Sequence, residues 1–289
     1  MDIGGHVPTR GGLLGAIQSA RACGAHAAQI WGSNPRAWAH PNLSPERAEE
    51  FRAAWREAGL GPLFLHSPYM VNIASPTEDF RRRSVDLARA TVELADAIGA
   101  DGVVIHAGAA GAKTERSRAV DLAARSLTTI ARAAGTTRVV VELTAGGAGS
   151  VASTFPQARE LFDAADGQPA LALCADTCHL FATGYALDSA DGVAACFAEL
   201  RAAGLTRRLR LVHANDSKFP RGAHRDSHTH IGRGFIGETG FRAILAQPQV
   251  RRCSVVCETP GRLEDHAMNI AKLRELAGRP GRSVGRISA

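Results

Sequence analysis

Histidines and acids recur at one kind of position in this 289-residue sequence, directly after short apolar runs. His66 and His106 follow two of these runs, and Glu142 follows a third. Imidazole and carboxylate groups are the protein ligands that bind zinc and related divalent cations. Their shared position predicts that these side chains meet in one metal centre.

The stretch CADTCH, residues 174–179, offers two kinds of metal ligand. Cys174 and Cys178 beside His179 resemble part of a zinc knuckle, whereas Asp176 and His179 match the oxygen and nitrogen ligands of the other runs. No second pair of cysteines occupies a corresponding position in the sequence. We therefore interpret Asp176 and His179 as ligands, and we expect all six cysteines to be reduced and mostly buried.

Further ligands are expected around the seventh apolar run and the loop that follows it. His213 ends that run, and three more histidines lie in the loop sequence. Asp226 and His228 alternate so that an extended loop would place both side chains on one side. His224 and His230 are competing candidates for the same role.

Eight apolar runs alternate with helical stretches along the chain. Counted together with the polar residues that end them, the runs are 2–7, 27–32, 62–69, 102–108, 138–145, 170–179, 209–217 and 254–260. The clearest helical stretches are 44–59, 79–100 and 112–135. We expect Ser44 to be the N-cap of the first and Gly135 to be the C-cap of the third. This alternation predicts an α/β fold, a single (β/α)8 TIM barrel with its metal site at the C-terminal ends of the strands.

The predicted barrel domain occupies residues 1–277, and residues 278–289 are expected to form a disordered basic tail. The formal net charge is +6 and the pI is about 9.3, which permits binding to a polyanion. No apolar run approaches the ~18 residues of a membrane span, and the N-terminus has no apolar signal region. We therefore expect a cytoplasmic protein. We also expect a monomer.

The candidate ligands are too numerous for a single ion, because a catalytic zinc usually takes three protein ligands. They are His66, His106, Glu142, Asp176, His179, His213, Asp226, His228 and Glu258. With one bridging carboxylate, this set fits two or three clustered ions, with zinc favoured and manganese or iron as substitutes. Clustered divalent ions form a clamp for in-line displacement at phosphorus, so the sequence favours hydrolysis of a phosphate ester.

The order and spacing of these motifs resemble endonuclease IV, the zinc-dependent apurinic/apyrimidinic endonucleases of DNA repair. The resemblance extends from about residue 2 to residue 275. Its marks are IGGHV near the start, HSPYMVNIAS (66–75), IHAGA (105–109), VELTAGG (141–147), CADTCHLFATGY (174–185), HANDSK (213–218), DSH and IGRG (226–234), and CETP (257–260).

The resemblance implies three zinc ions per chain, with manganese as an alternative in part of the sites. The first ion would be held by His66, His106 and Glu142. The second would share Glu142 and add Asp176, His213 and Glu258. The third would be held by His179, Asp226 and His228. Glu142 and Glu258 would also be catalytic.

The resemblance further implies hydrolysis of the phosphodiester 5′ to an abasic site in duplex DNA, leaving a 3′-hydroxyl and a 5′-deoxyribose phosphate. A 3′-phosphodiesterase activity could accompany it, and the protein would associate with the nucleoid when on DNA. Arg36, Tyr69 and Met70 match positions that wedge into the duplex beside the flipped abasic nucleotide. Lys218 and Arg221 are candidates for phosphate contacts.

Three positions depart from the family pattern. Leu143 stands where the family usually has Asn, and Ser227 stands where it usually has Arg. Arg233 occupies the middle of the GxG pair and adds positive charge. None of these changes removes a candidate ligand.

The alternative is a single-metal sugar isomerase or epimerase of the xylose-isomerase type, since such barrels share this architecture. Its metal would use only four of the candidates, namely Glu142, Asp176, His213 and Glu258. The remaining candidates would then have no role, so the number of ions per chain distinguishes the two enzymes.

Overall fold

A computed structural model describes residues 1–279 of the chain, and eight parallel strands close into a barrel within them. The barrel strands are β1 (Asp2–His6), β2 (Ala27–Trp31), β3 (Leu63–His66), β4 (Gly102–His106), β5 (Arg138–Glu142), β6 (Leu171–Asp176), β7 (Leu209–His213) and β10 (Ser254–Cys257). Their order around the barrel follows the chain, with β10 closing against β1. The predicted (β/α)8 barrel is confirmed.

Helices cover the outside of the barrel, and a two-stranded antiparallel ribbon lies after β7. The helices are α1 (Leu13–Ala22), α2 (Pro45–Glu57), α3 (Glu78–Ile98), α4 (Arg116–Ala131), α5 (Phe155–Ala164), α6 (Thr177–Ala182), α7 (Ala190–Ala202), α8 (Gly237–Ala246) and α9 (Leu263–Leu276). The ribbon pairs β8 (Asp216–Ser217) with β9 (His228–Thr229). None of the described helices is long and apolar enough to cross a membrane.

The barrel interior is filled with apolar side chains, so the functional surface must lie at its mouth. These side chains are Ala27, Phe64, Val104, Val140, Ala172, Cys174, Leu211 and Val256. On β1 only glycine fits at position 4, because a Cβ atom there would lie 1.5 Å from the carbonyl oxygen of Ala27. This packing matches the side-chain layers that make such barrels a solid core.

The strand register brings the polar residues that end neighbouring strands to the same height. His106 on β4 pairs with Glu142 on β5, and Asp176 on β6 pairs with His213 on β7. Because parallel strands of a barrel all point the same way, residues that end adjacent strands form one ring at the barrel mouth.

The predicted helix termini are right in one case and wrong in another. Ser44 caps α2, where its side chain accepts a hydrogen bond from the N–H of Arg47. Gly135 does not cap α4, because the helix already ends at Ala131. The N–H of Gly135 instead donates to a carboxylate oxygen of Asp96 at 2.7 Å. That carboxylate also accepts from the next two N–H groups and so directs the chain into β5.

All six cysteines are free and buried, as expected from the sequence. Cys174 fills the barrel interior, whereas Cys257 belongs to the outer core between the barrel and the helices. The predicted basic tail falls almost wholly on residues 280–289, which lie outside the described part of the chain. The division into barrel domain and tail stays a prediction.

Candidate metal centre

Three residues that end adjacent strands form the first group of potential ligands. Nε2 of His66 and Nε2 of His106 each lie 3.2 Å from Oε2 of Glu142. Glu142 and His66 are buried, while the side chain of His106 is about one third exposed. The group therefore opens toward solvent on the His106 side.

A second group surrounds the other oxygen of Glu142. Nδ1 of His213 lies 3.1 Å from Oε1 of Glu142 and 3.2 Å from Oε2 of Glu258. Asp176 completes the group, with Oδ2 at 3.9 Å from the same nitrogen. All four residues offer ligand atoms within 4.8 Å of one another, and Glu142 is shared with the first group.

The third group is built from a helix, a loop and the ribbon strand β9 rather than from the ends of barrel strands. Nε2 of His179 lies 3.2 Å from Oδ2 of Asp226, and Nε2 of His228 lies 3.1 Å from Oδ1. The sequence placed His179 at the end of a strand, but β6 ends at Asp176 and His179 lies in the first turn of α6. Asp176 caps that helix by accepting from the N–H of His179 at 2.9 Å.

The two-stranded ribbon places His228, rather than His224 or His230, next to the other candidate ligands. Pairing of Ser217 with His228 holds His228 at the mouth. His224, in a left-handed conformation with φ of 50°, lies with Nδ1 3.4 Å from the carbonyl oxygen of Ala145. Nδ1 of His230 lies 3.0 Å from the amide of Asn269. Neither His224 nor His230 joins a ligand group among the described residues.

Backbone carbonyls orient several of the imidazoles. Nδ1 of His66 lies 2.7 Å from the carbonyl oxygen of Ser67, and Nδ1 of His179 lies 2.8 Å from that of Leu143. Nδ1 of His228 lies 3.3 Å from the carbonyl oxygen of Glu258. A proton on Nδ1 leaves Nε2 of each ring free to act as a ligand, which is the usual arrangement around metal-binding histidines.

Two histidine nitrogens of the third group lack hydrogen-bond partners, as expected for the ligands of a cation. Nε2 of His179 and Nε2 of His228 are buried and have no hydrogen-bond partner in the described part of the chain. Both lie within 3.2 Å of Asp226, yet neither points along a hydrogen bond to it. Two ring nitrogens that converge beside a carboxylate without a hydrogen bond to it form the donor set that a divalent ion requires.

The pKa values of the candidate ligands are also shifted in the directions expected for a site that binds cations. Burial raises the pKa of Glu142, but the imidazoles of His213 and His106 outweigh burial and hold that pKa well below its usual range. Burial lowers the pKa of His179, but Asp176 and the other nearby carboxylates outweigh it and raise that pKa well above its usual range. In the metal-free protein His179 thus retains a proton that balances these carboxylates, and a divalent ion would replace that proton.

A cleft of about 1310 Å³ opens above the centre and is walled on one side by aromatic rings. Tyr69 is 66% exposed, and its ring lies 4.7 Å from that of Trp31, which lies 5.0 Å from the ring of His66. The N–H of Tyr69 donates to the carbonyl oxygen of Pro35 at 3.2 Å. This bond ties the loop that carries the exposed Arg36 to the loop that carries Tyr69.

The other predicted DNA contacts differ in their surroundings. Met70, next to Tyr69, is half-buried, and Lys218 lines the cleft. Arg221 lies 3.5 Å from Asp188, so its charge is partly balanced within the protein. The three departures from the family pattern leave the ligand groups intact, since Leu143 contributes its backbone carbonyl, Ser227 lies between two ligands and Arg233 is exposed.

Sequence reasoning missed residues that surround the ligands. Gln29 is fully buried and contacts His213, Glu258 and His6. Asn215 is also fully buried, and its amide donates to Asp176 at 2.7 Å. A signal was present, because Gln29 is polar in the apolar run AAQIW and His6 ends β1 as the ligands end other strands.

Comparisons with known proteins agree with this geometry. A family model described as a xylose isomerase-like TIM barrel matches residues 17–276. A protein from Streptomyces coelicolor named "Probable endonuclease 4" is 39% identical over 278 residues, which cover 95% of this chain and 94% of the relative. The chain belongs to the endonuclease IV family. The resemblance predicted from the sequence is therefore confirmed.

Solved structures support the same relationship for this endonuclease IV family member. The crystal structure of endonuclease IV from Thermus thermophilus matches with a TM-score of 0.84 and 30% identity, covering 96% of this chain and 99% of that chain. A D-tagatose 3-epimerase-like protein matches with a TM-score of 0.73 and 18% identity, covering 96% of this chain and 97% of that chain. At that identity the epimerase-like match shows the barrel fold alone.

Proposed function

We propose that this protein hydrolyses the phosphodiester 5′ to abasic sites in duplex DNA, leaving a 3′-hydroxyl and a 5′-deoxyribose phosphate. The observation that carries the proposal is the surplus of potential ligands at the barrel mouth: three groups of histidines and carboxylates, two of them sharing Glu142, and a fourth, overlapping group of Asp176, Cys178 and His228. A single-metal enzyme needs only one such group. Family membership supports the same activity.

Three zinc ions would occupy these groups, with manganese able to replace zinc in part of them. His66, His106 and Glu142 would hold the first ion; Glu142, Asp176, His213 and Glu258 the second; and His179, Asp226 and His228 the third. Bound ions would neutralise charge on the phosphate and activate water for in-line attack.

The protein's own groups prepare the site for that chemistry. Glu142 offers one oxygen to each of two groups, so it would set their separation. Burial raises the pKa of Glu258, but the imidazole of His213 outweighs burial and lowers it, so Glu258 is ionised at neutral pH. Both carboxylates would therefore be charged ligands throughout the physiological range.

The aromatic wall of the cleft suits recognition of a gap in the base stack. An abasic nucleotide has lost its pairing and most of its stacking, so extruding it costs less free energy than extruding an intact one. The exposed ring of Tyr69, supported by Trp31, would fill the gap, and Arg36 and Met70 lie on the same two loops.

The experiment that tests the proposal is incision of a duplex carrying one abasic analogue, with zinc content measured on the same sample. We expect a single cut 5′ to the analogue and about three ions per chain. Glu258→Gln should abolish incision and leave binding to the abasic duplex largely intact. Parental activity in Glu258→Gln would refute the catalytic role of Glu258, and the absence of incision by the parent would refute the function.

The epimerase alternative has one observation in its favour, which is that the second group alone matches the metal set of that enzyme class. It predicts about one ion per chain and turnover of a ketose sugar. The same zinc measurement therefore separates the two functions.

A further inference from the structure

Gln29 is a fully buried polar side chain at the barrel mouth that is not among the proposed ligands. It lies on β2 two residues after Ala27, which faces the barrel interior, so strand alternation points Gln29 the same way at the next level up. A buried amide costs free energy unless its donors and acceptor are bonded. Here the amide oxygen contacts His213, and the amide nitrogen contacts Glu258 and His6.

The oxygen and the nitrogen of the Gln29 amide form hydrogen bonds with two different ligands of the proposed second ion. Oε1 of Gln29 lies 2.9 Å from Nε2 of His213, and Nε2 of Gln29 donates to Oε1 of Glu258 at 2.5 Å. If the Gln29 amide were flipped, its oxygen would lie against Oε1 of Glu258, and neither of these two oxygens carries a proton. The amide oxygen must therefore accept a hydrogen bond from Nε2–H of His213.

This bond makes His213 the exception among the centre's histidines. His66, His179 and His228 each turn Nδ1 toward a backbone carbonyl and leave Nε2 free. His213 has its Nε2 proton on Gln29, so Nδ1 is the nitrogen that lies 3.1 Å from Glu142 and 3.2 Å from Glu258.

We propose that Gln29 is a positioning residue that selects Nδ1 of His213 as its metal-facing nitrogen and orients Glu258 with the same planar amide. The inference rests on the proposed metal centre. Gln29 is buried beneath the centre, and its amide also contacts Nδ1 of His6, so it would affect the ions only through the side chains that it contacts. Loss of its hydrogen bonds would let the imidazole rotate or change tautomer and would release the far oxygen of the carboxylate.

The first test uses the unmodified protein loaded with zinc and needs no DNA. Long-range ¹H–¹⁵N spectra of its histidines report which ring nitrogen carries the proton. We expect His213 to be protonated at Nε2 and coordinated through Nδ1, and we expect the reverse for His66, His179 and His228. Coordination of His213 through Nε2 would overturn the proposal.

The second test compares two substitutions of similar length at this position. Gln29→Met removes the contacts to His213, Glu258 and His6, whereas Gln29→Glu keeps the acceptor for His213 and places a second carboxylate against Glu258. In a chelator competition, Gln29→Met should bind zinc about 10- to 100-fold more weakly than the parent. Gln29→Glu should keep the parental protonation pattern of His213.

The matched control is Gln249→Met, because Gln249 is also a buried glutamine but lies before β10 at the opposite end of the barrel. It should retain parental zinc affinity. In kinetic assays, Gln29→Met should lower kcat and leave the KM for abasic DNA unchanged, since Gln29 is out of reach of DNA. A folded Gln29→Met protein with parental zinc affinity and parental His213 spectra would overturn the proposal.

These readouts separate failure of this inference from failure of the proposed function. If the spectra and zinc affinities behave as expected but the parent does not cut abasic DNA, the role of Gln29 stands and the nuclease is refuted. If the parent cuts abasic DNA and His213 coordinates through Nε2, the nuclease stands and the role of Gln29 is refuted.

Discussion

Two parts of the candidate metal centre are built in different ways. The inner cluster, defined as His66, His106, Glu142, Asp176, His213 and Glu258, lies at or directly after the ends of barrel strands. The outer cluster, defined as His179, Asp226 and His228, lies on α6, on the loop before β9 and on the first residue of β9. The side chain of Glu142 is 1% exposed, whereas that of Asp226 is 54% exposed.

This difference indicates how firmly each cluster is held. The strand ends of the inner cluster are fixed by ladder hydrogen bonds on both sides of every strand. The outer cluster depends on docking of a loop through a ribbon of only two residue pairs. We therefore expect the inner ions to exchange slowly and the outer ion to exchange first, because exposed loops open at lower free-energy cost than core strands.

The largest effect is expected from Glu142→Gln, which removes the charge shared by two groups of the inner cluster. Incision should fall by at least about 10³-fold, or about 4 kcal/mol of transition-state stabilisation. More than one zinc ion per chain should be lost, as measured by elemental analysis of the folded variant. Retention of both inner ions would show that the cluster does not depend on its shared carboxylate.

A smaller effect is expected from Asp226→Asn, which weakens the outer cluster alone. One ion per chain should be lost and incision should fall by about 10²-fold, while the inner ions stay. In the parent, brief EDTA treatment should remove one ion before the others, and this early phase should be missing in the variant. Simultaneous loss of all ions from the parent would remove the distinction between the clusters.

The pH dependence of the metal-free protein tests the charge balance of the outer cluster. Burial lowers the pKa of His228, but Asp176 and Asp226 outweigh it and raise the pKa to about 9. A pKa raised on folding stabilises the fold below the unfolded value of about 6.5, and this contribution is lost as pH rises through about 9. Metal-free protein should therefore lose about 2 kcal/mol of stability between pH 7 and pH 9.

The measurement is thermal or denaturant unfolding across that pH range with and without zinc. Zinc competes with the same protons, so its apparent affinity should rise over the range in which metal-free stability falls. The variant His228→Asn should show a weaker pH dependence. Metal-free stability that rises from pH 7 to pH 9 would contradict the assignment.

The smallest effect is expected at the cleft wall, away from both clusters. Tyr69→Ala should weaken binding to abasic duplex by about 10-fold, because one stacked ring contributes roughly 1–3 kcal/mol. Zinc content and melting temperature should match those of the parent. Tyr69→Phe keeps the ring and should bind as the parent does; equal binding by all three proteins would exclude a wedge role for Tyr69.

Strand-end positions could be predicted because alternating runs and helices specify a barrel, and a barrel gathers strand ends into one ring. That rule was enough to predict that His66, His106 and Glu142 lie together at the barrel mouth. The position of His179 on α6 and the end of α4 at Ala131 could not be predicted as easily. The position of His179 follows from the Asp176 carboxylate, which caps α6. The Asp96 carboxylate, which accepts from three N–H groups after α4, directs the chain that follows that helix.

The sequence alone determined the barrel, the strand-end side chains of the inner cluster and the family resemblance, because periodicity and residue type are local properties of the chain. Only the tertiary structure decided that His228, rather than His224 or His230, joins the outer cluster. The tertiary structure also decided that Gln29 meets His213 and Glu258. Gln29 is separated along the chain from His213 by 184 positions and from Glu258 by 229 positions. These contacts follow from closure of the barrel, and no local sequence pattern contains them.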